Sequence, residues 1–265
     1  MSVRPPALAA LVLAAAGCAP SLPPPAPPAP SITLAEAAGA LEAAQGSLRT
    51  VRGLADVRLE RAGETHRFRE AAVLVLPDKL RLETLQFGGA TALVVAANGD
   101  RLAIYSLATR EFGTGRASGR ALEGLAGVAV EPRHLLRLLA GLPPLSFQAA
   151  DPRSRIEAED GGFRAESVEE AFSQRLRLDA GGGVAGGELR TAAGTLLSFR
   201  FEDRRQVGDR AFPYRVRLEQ PGAARLEVAY RTLELNAPVD ESVFSLPVPA
   251  GEVRLVDLDA VAPPR

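Results

Sequence analysis

The side chains able to do catalytic or metal chemistry are few and scattered in this sequence. The chain has two histidines, His66 and His134, in different predicted elements, and a single cysteine, Cys18. A nucleophile–base pair or a zinc site needs several such groups brought together. Acidic residues cluster at 157–160 and 166–170, beside glycine-rich turns, where a solvated face explains them. We therefore expect a protein that is not an enzyme and that has no metal site and no cofactor.

Cys18 carries the one piece of covalent chemistry that the sequence predicts, a lipid anchor. Residues 7–17 are an apolar run ending in Ala15-Ala16-Gly17, and 11 residues are too few for a bilayer span, which needs about 20. The pattern resembles a bacterial lipobox, which implies a lipoprotein signal peptide over 1–17 and acylation of Cys18. Ala19, in place of an aspartate, implies an outer-membrane address facing the periplasm. An ordinary signal peptide followed by an incidental cysteine is the alternative.

The segment behind the anchor is predicted to be a tether. Residues 19–30 contain seven prolines, which favour an extended polyproline conformation. We therefore assign 18–30 to the lipid anchor and a Pro-rich tether. Removal of residues 1–17 leaves 30 basic and 32 acidic side chains, a formal charge of −2. That balance predicts no nucleic-acid partner, which would need a concentrated basic face.

The elements that must position any site are mainly β-strands. Thr33-Leu34-Ala35-Glu36 has the form of a capping box, so an N-terminal helix is expected, with a buried face formed by Leu34, Ala37, Ala38, Leu41 and Leu48. From Thr50 onwards the apolar residues recur with a period of two. We count roughly 11 strands, more than an open twisted sheet holds without curling. The fold class is therefore predicted as mainly β, a curled antiparallel sheet that forms a barrel or half-barrel.

A short apolar helix interrupts the strands, after a glycine-rich stretch from Phe112 that breaks the strand pattern. Pro132 suits a first helical position, and Gly141 with the two prolines after it ends the helix. Four leucines make the helix apolar nearly all round, so it must be buried or cover something buried. Both a movable cavity lid and a permanently packed plug fit this pattern. His134, on the same helix, is expected to face solvent.

Four stretches of the chain together are similar to the LolA/LolB superfamily of lipoprotein-localisation proteins. They are the strand pair VRGLADVRLE and FREAAVLVLPDKLRLETL, the turn QFGGAT with ALVVAANGDRLAIY, the helix EPRHLLRLLAGLPPL, and the ending NAPVDESVFSLPVPAGEVRLV. The resemblance implies the unclosed form of this barrel, a LolA/LolB-like half-barrel over 31–256, with a C-terminal tail over 257–265 and an apolar cavity that accepts the acyl chains of lipoproteins. The candidate cavity or lid residues are Leu82, Leu135, Leu136, Leu139, Phe199 and Phe201.

Phe87, in the turn Phe87-Gly88-Gly89, is the candidate contact tip. Two glycines give a tight reversal, yet a large apolar ring stands where turn chemistry favours a polar residue. In the membrane-anchored receptor of the resembled family, a loop between two strands projects an apolar leucine needed to deliver lipoproteins to the membrane. The matching turn here carries Phe87, offset by one position. The ring either touches the bilayer or an incoming acyl chain, or it folds back into the barrel mouth as core.

These observations predict an acyl-anchored outer-membrane lipoprotein that binds lipid or lipoprotein acyl chains. Its role would lie in lipoprotein localisation or outer-membrane biogenesis, with a periplasmic lipoprotein carrier as a candidate partner. The alternative is a structural lipoprotein, a scaffold for an envelope complex that uses the same fold without a ligand. Small residues on the strands, Gly53, Ala55 and Ala72, favour a cavity, whereas close packing against residues 135–139 favours the scaffold.

Overall fold

A single β-sheet runs through the part of the chain that the structure, a computed structural model, describes: residues 32–86, 89–126 and 130–260. The helices of this part are α1 (Leu34–Gly46), α2 (Gly119–Ala126), α3 (Pro132–Leu139) and a 3-10 helix (Glu241–Phe244). The strands are β1 (Thr50–Arg61), β2 (Glu64–Val75), β3 (Lys79–Leu85), β4 (Thr91–Asn98), β5 (Arg101–Ser106), β6 (Glu111–Arg116), β7 (Arg155–Glu159), β8 (Gly162–Glu169), β9 (Phe172–Asp179), β10 (Val184–Thr191), β11 (Gly194–Val207), β12 (Arg210–Gln220), β13 (Ala224–Leu235) and β14 (Arg254–Asp257).

The strand order confirms the predicted curled antiparallel sheet that does not close. It runs β14-β6-β5-β4-β3-β2-β1-β13-β12-β11-β10-β9-β8-β7, so β14 and β7 are the two edges. All neighbours are antiparallel except β14, which pairs in parallel with β6. The strand β1 lies in the middle, between β2 and β13, and joins the two halves of the sheet. The described residues form 14 strands, against the roughly 11 that were predicted; β6 and β14 lie in segments that the sequence analysis did not assign to strands.

The glycines of β6 are explained by a segment that crosses the strand. A Cβ added at Gly113 would lie 2.7 Å from Leu258 Cδ2, and one at Gly115 would lie 2.8 Å from Leu258 Cβ. The Leu258 N–H also donates to the Thr114 carbonyl at 2.9 Å. The stretch that was expected to break the strand pattern is therefore a strand, kept bare so that the C-terminal segment can pack on it. Residues 257–259 stay in contact with the sheet, although the sequence predicted a separate tail from 257.

The helix α1 begins at the predicted capping box and packs on the sheet. Thr33 Oγ1 accepts from the Glu36 N–H at 3.2 Å, and Glu36 Oε2 accepts from the Thr33 N–H at 2.8 Å, which satisfies two backbone donors of the first turn. Ala37, Ala38 and Leu41 are buried, as expected. Leu34, predicted for the same buried face, is the first residue of the helix and is 44% exposed.

The helix α3 is enclosed inside the curl of the sheet. Leu136 and Leu138 are fully buried, and the helix ends where Gly141 takes a φ of +69°. A Cβ on Gly141 would lie 2.7 Å from the Pro213 ring, so a glycine is required there for space as well as for conformation. The prediction of a buried short helix is confirmed. None of the helices in the described part of the chain has the length and apolar character needed to cross a bilayer.

The position of His134 differs from the prediction made from the sequence, which was that its side chain faces solvent. Its side chain is 1% exposed and packs edge-on against the Phe172 ring, with 4.9 Å between the ring centroids. Neither ring nitrogen has a hydrogen-bond partner within residues 32–86, 89–126 and 130–260. Burial, reinforced by the charges of Arg133 and Arg137, lowers the pKa of His134 to about 4. The imidazole is buried because Phe172, on β9, packs against this side of α3.

Candidate functional site

An apolar cavity of about 410 Å³ lies between α3 and the first half of the sheet. This volume falls in the range of small-molecule sites, about 300–1,000 Å³. Its walls come from β1, β2, β3, β4 and β13, and α3 covers one end. Most of its lining is aliphatic or aromatic: Ala55, Val57, Leu59, Phe68, Ala72, Leu82, Leu93, Val95, Leu135, Leu139, Leu226, Val228 and Tyr230. Such a lining can bind a hydrocarbon chain and offers few hydrogen-bond partners to a strongly polar ligand.

Small side chains open the space on the wall formed by β1 and β2. Ala55 and Ala72 both face the cavity, and larger residues at these positions would reduce its volume. Gly53 differs from them. A Cβ there would lie 2.7 Å from the Thr232 carbonyl and 3.2 Å from the Tyr230 ring. Two of the three small residues that favoured a cavity therefore line it, whereas the room left by Gly53 is taken by an aromatic ring.

The end of the cavity under α3 is fixed by hydrogen bonds. Leu135 and Leu139 lie on the face of α3 that lines the cavity. Tyr230 Oη donates to the Leu139 carbonyl at 2.8 Å, which satisfies one of the carbonyls left free at the helix C-terminus. Burial raises the pKa of Tyr230 well above its ordinary value, so the hydroxyl keeps its proton for this bond. This contact favours the plug over the movable lid.

Arg137 ties the outer side of α3 to its surroundings. Its Nε donates to the Pro143 carbonyl at 2.7 Å, and its Nη2 donates to Gln45 Oε1 at 2.9 Å and to the Leu145 carbonyl at 3.3 Å. Burial lowers the pKa of Arg137 to about 10, which still leaves a cation at neutral pH. The guanidinium therefore links α3 to α1 and to the loop after α3.

The predicted cavity residues divide between the cavity and the solid core. Leu82, Leu135 and Leu139 line the cavity. Leu136, Phe199 and Phe201 are buried in the core instead. The Phe199 and Phe201 rings lie 5.1 Å apart on the second half of the sheet, and such large rings fill that half. The cavity is therefore lined by β1 to β4, β13 and α3, and these two rings take no part in it.

Two predicted site residues, Cys18 and Phe87, lie outside the described residues. The chain on either side of Phe87 is described: the Gln86 N–H donates to the Ala90 carbonyl at 2.8 Å. The turn between β5 and β6, at the same end of the sheet as the turn between β3 and β4, contains Leu107. This leucine is 48% exposed, and its N–H donates to the Ala92 carbonyl at 2.9 Å. An exposed leucine thus lies at the same end of the sheet as the predicted contact tip, and the sequence reasoning missed it.

Glu70 and Thr84 place a polar pair in the apolar wall. Both side chains line the cavity, and Thr84 Oγ1 donates to Glu70 Oε2 at 2.8 Å. Removal from bulk water raises the pKa of Glu70 to about 7, and the hydrogen bond from Thr84 offsets this only in part. Sequence reasoning missed Glu70, although its position on β2 is in phase with Phe68 and Ala72, which both face inward.

Two further polar side chains mark the open end of the cavity. Arg61 and His66 line it close to the β1–β2 turn, and His66 lies 3.4 Å from Glu64 and is largely exposed. Arg61 takes part in no ion pair within the described part of the chain. Within that same part, no group of three or more His, Cys, Asp or Glu side chains is arranged to hold a metal ion.

Comparison with known proteins identifies the architecture. No protein-family model and no curated protein matches the sequence. Among solved structures, a LolA superfamily protein from Nitrosomonas europaea superposes with a TM-score of 0.54 at 10% identity, over 82% of this chain and 99% of its own. A domain described as an outer membrane lipoprotein-sorting protein, from Vibrio parahaemolyticus, gives 0.52 at 15% identity, over 79% of this chain and 94% of its own. A DUF1329 family protein from Desulfovibrio piger gives 0.53 at 10% identity, with the same two coverages. These likenesses, together with the unclosed sheet around α3, show that the chain has a LolA-like fold.

Proposed function

We propose that this protein is an acyl-anchored outer-membrane lipoprotein, facing the periplasm, that binds the acyl chains of lipids or lipoproteins. The observation that carries the proposal is the apolar cavity of about 410 Å³ between α3 and the wall of β1 to β4 and β13. Two of the structures with the same fold are described as a LolA superfamily protein and a lipoprotein-sorting domain. We therefore assign the protein to lipoprotein localisation or outer-membrane biogenesis, working by binding rather than by catalysis.

The size of the cavity fits one acyl chain. With about 30 Å³ for a water-sized group, close to the size of a methylene, this volume holds roughly 14 methylenes. Each methylene removed from water gains about 0.8 kcal/mol, so such a chain gains roughly 11 kcal/mol. A bilayer offers a similar gain, so transfer between cavity and membrane is nearly balanced. A protein with this cavity can therefore both take up an acyl chain and release it.

The anchor and the contact tip belong to the same proposal. Cys18, acylated as the lipobox resemblance implies, would hold the folded domain near the membrane through the proline-rich residues 18–30. Phe87 would meet the bilayer or the incoming acyl chain at the end of the sheet where Leu107 is exposed. Incorporation of labelled palmitate into the wild-type chain but not into Cys18→Ala tests the anchor.

Lipid extraction from matched variants tests the binding function. The full-length chain carrying Cys18→Ala is purified from the cells that express it. The bound lipid is then extracted and measured by mass spectrometry. Ala72→Leu places three extra carbon atoms in the cavity and should lower the amount of co-purified lipid several-fold. Ala71→Leu, on the other face of the same strand, is the control and should leave it unchanged. A parent chain that carries no lipid, and that cannot be loaded with a fluorescent fatty acid, would rule out the binding function.

A second candidate, a structural lipoprotein without a ligand, is favoured by how firmly α3 is held. Tyr230 and Arg137 fix the helix at its C-terminal end, and the second half of the sheet is solidly packed. A scaffold requires rigidity and no exchange of contents. The same lipid extraction separates the two functions, because a scaffold would show no loss of bound lipid in Ala72→Leu.

A further inference from the structure

The carboxyl group of Glu70 lies in the wall of a cavity that is otherwise mostly apolar. Glu70 lies on β2 four residues from His66, so the two residues are about 13 Å apart along the strand, at about 3.3 Å per strand residue. Around it, Ala55, Phe68 and Leu82 provide only apolar surface. Burial of an ionisable group in such a place costs stability unless it is paired or neutral. A leucine or methionine would fill the position with no such cost, and would leave the wall wholly apolar.

The hydrogen bonds of Glu70 leave part of its capacity free. Oε2 accepts from Thr84 Oγ1 at 2.8 Å, and this is the one hydrogen bond of the Glu70 carboxyl within residues 32–86, 89–126 and 130–260. A neutral carboxyl group carries one O–H donor in addition to its acceptors. Since Glu70 borders the open space of the cavity, a group on a bound molecule can take up this remaining capacity.

We propose that Glu70 and Thr84 form a polar subsite within the cavity that recognises the carbonyl oxygen of an ester- or amide-linked acyl chain. The inference rests on the proposed acyl-binding function and specifies its ligand class. The protonated carboxyl donates to the acyl carbonyl, while Thr84 holds the carboxyl in place through Oε2. The hydrocarbon beyond the carbonyl extends toward Leu135 and Leu139. The polar part of the ligand lies on the side of Arg61 and His66, where a cation can meet an anionic headgroup.

The charged groups around Glu70 favour its neutral form. On β3, the nearby Glu83 carboxylate adds to the effect of burial and raises the pKa of Glu70, whereas the bond from Thr84 lowers it. Arg61 on β1 and His66 on β2 lie toward the cavity mouth, and β13 contributes the protonated Tyr230. The face of α3 that covers the cavity contributes only leucines. With a pKa of about 7, Glu70 donates to a carbonyl below neutral pH and loses this ability above it.

Two lipids that differ only in the acyl carbonyl measure how much this carbonyl contributes to binding. Palmitoyl lysophosphatidylglycerol carries an ester, and its hexadecyl ether analogue lacks only the carbonyl oxygen. Each lipid displaces a fluorescent fatty acid from the full-length chain carrying Cys18→Ala. One neutral hydrogen bond is worth about a fivefold difference in affinity, so at pH 6 the ester should bind about fivefold more tightly than the ether. At pH 8.5 the preference should disappear. A palmitoylated cysteine peptide, run in parallel, distinguishes a lipoprotein source of the carbonyl from a phospholipid source by which of the two binds more tightly.

Three variants separate recognition from folding. Glu70→Gln keeps a donor and should keep the ester preference at both pH values, whereas Glu70→Leu should abolish it and leave ether binding intact. Thr84→Val, which removes the group that holds the carboxyl, should weaken the preference for the ester at pH 6. Equal binding of ester and ether by the parent chain at pH 6, or a preference that survives Glu70→Leu, would overturn the subsite. Failure of both lipids to bind would instead remove the acyl-binding function, and the subsite with it.

Discussion

Exchanging Glu70 for glutamine should change how the stability of the protein depends on pH. The folded protein holds this carboxyl in the wall of an apolar cavity, where burial raises its pKa from the ordinary 4.5 to about 7. In the unfolded chain the group returns to its ordinary pKa. Glutamine has nearly the same shape and can still accept from Thr84, but it does not ionise in this range. The variant therefore removes the ionisation and keeps the packing.

The sign and size of the effect follow from linkage. Below pH 4.5 both states hold the proton, and the full stability is present. Between pH 4.5 and about 7 only the folded state keeps the proton, so stability falls as pH rises; above about 7 it stays constant. Each tenfold change in acidity is worth about 1.4 kcal/mol, which sets an upper limit of about 3 kcal/mol. Water that enters the cavity solvates the carboxylate and reduces the loss to about 1–2 kcal/mol.

Denaturant titrations at pH 4.5, 6 and 8 measure this loss. The free energy of unfolding of the wild type, relative to Glu70→Gln, should fall by about 1–2 kcal/mol from pH 4.5 to 8. The comparison cancels the opposite contribution of His134, which is common to both proteins. Glu64→Gln, at the exposed end of the same strand, is the matched control for the loss of one carboxylate. A difference between wild type and variant that stays the same at all three pH values would refute the desolvation of Glu70.

Three further changes have definite expected outcomes. Tyr230→Phe removes the bond to the Leu139 carbonyl and should lower the free energy of unfolding by about 1–3 kcal/mol, measured with urea. His134→Phe removes two unpartnered ring nitrogens and should raise that free energy by about 1 kcal/mol at pH 7. Since the pKa of His134 is lowered to about 4, His134→Phe should also remove the stability loss that the wild type shows as pH falls from about 6.5 to 4. Phe87→Glu should leave the melting temperature nearly unchanged and impair acyl transfer to vesicles, with a smaller effect from Leu107→Glu; a strongly destabilised Phe87→Glu would show that this ring is core.

The strands could be predicted because one face of the sheet is apolar and buried and the other is polar and exposed to solvent. On β9, for example, Leu176 and Leu178 are buried while Arg175 and Arg177 point to solvent. This alternation is a local property and can be read from one strand at a time. It predicted the curled sheet and all but two of its strands.

The strand β6 and the burial of His134 were not predicted for the same reason. In both cases a segment that is distant in the chain decides the local structure. The glycines of β6 mark a strand only because Leu258, more than a hundred residues later in the chain, packs on them. His134 is buried because Phe172, 38 residues later in the chain, packs against its ring. A helix viewed alone offers this side to solvent. No periodicity within the segment contains this information.

Glu70 is a different kind of miss, because its signal was present in the sequence. The alternation along β2 puts Phe68, Glu70 and Ala72 on one face, and a charged residue in that phase contradicts the pattern. Such a break in an otherwise consistent pattern is where a functional group is expected. A cavity was expected from the resemblance and from the small residues of β1 and β2, but its size and position could not be predicted, since they depend on the gap left between β1, β13 and α3.

The central place of β1 has a consequence for how the protein is made. Arg61 pairs with Ala224, 163 positions later, and Val51 pairs with Leu235. Contacts over such distances close large loops and slow folding. The seam between the two halves cannot form until nearly the whole chain has emerged, so a partly synthesised chain lacks the strand that completes its middle. A polypeptide with this topology therefore completes its sheet only late, once the residues of β13 are available to pair with β1.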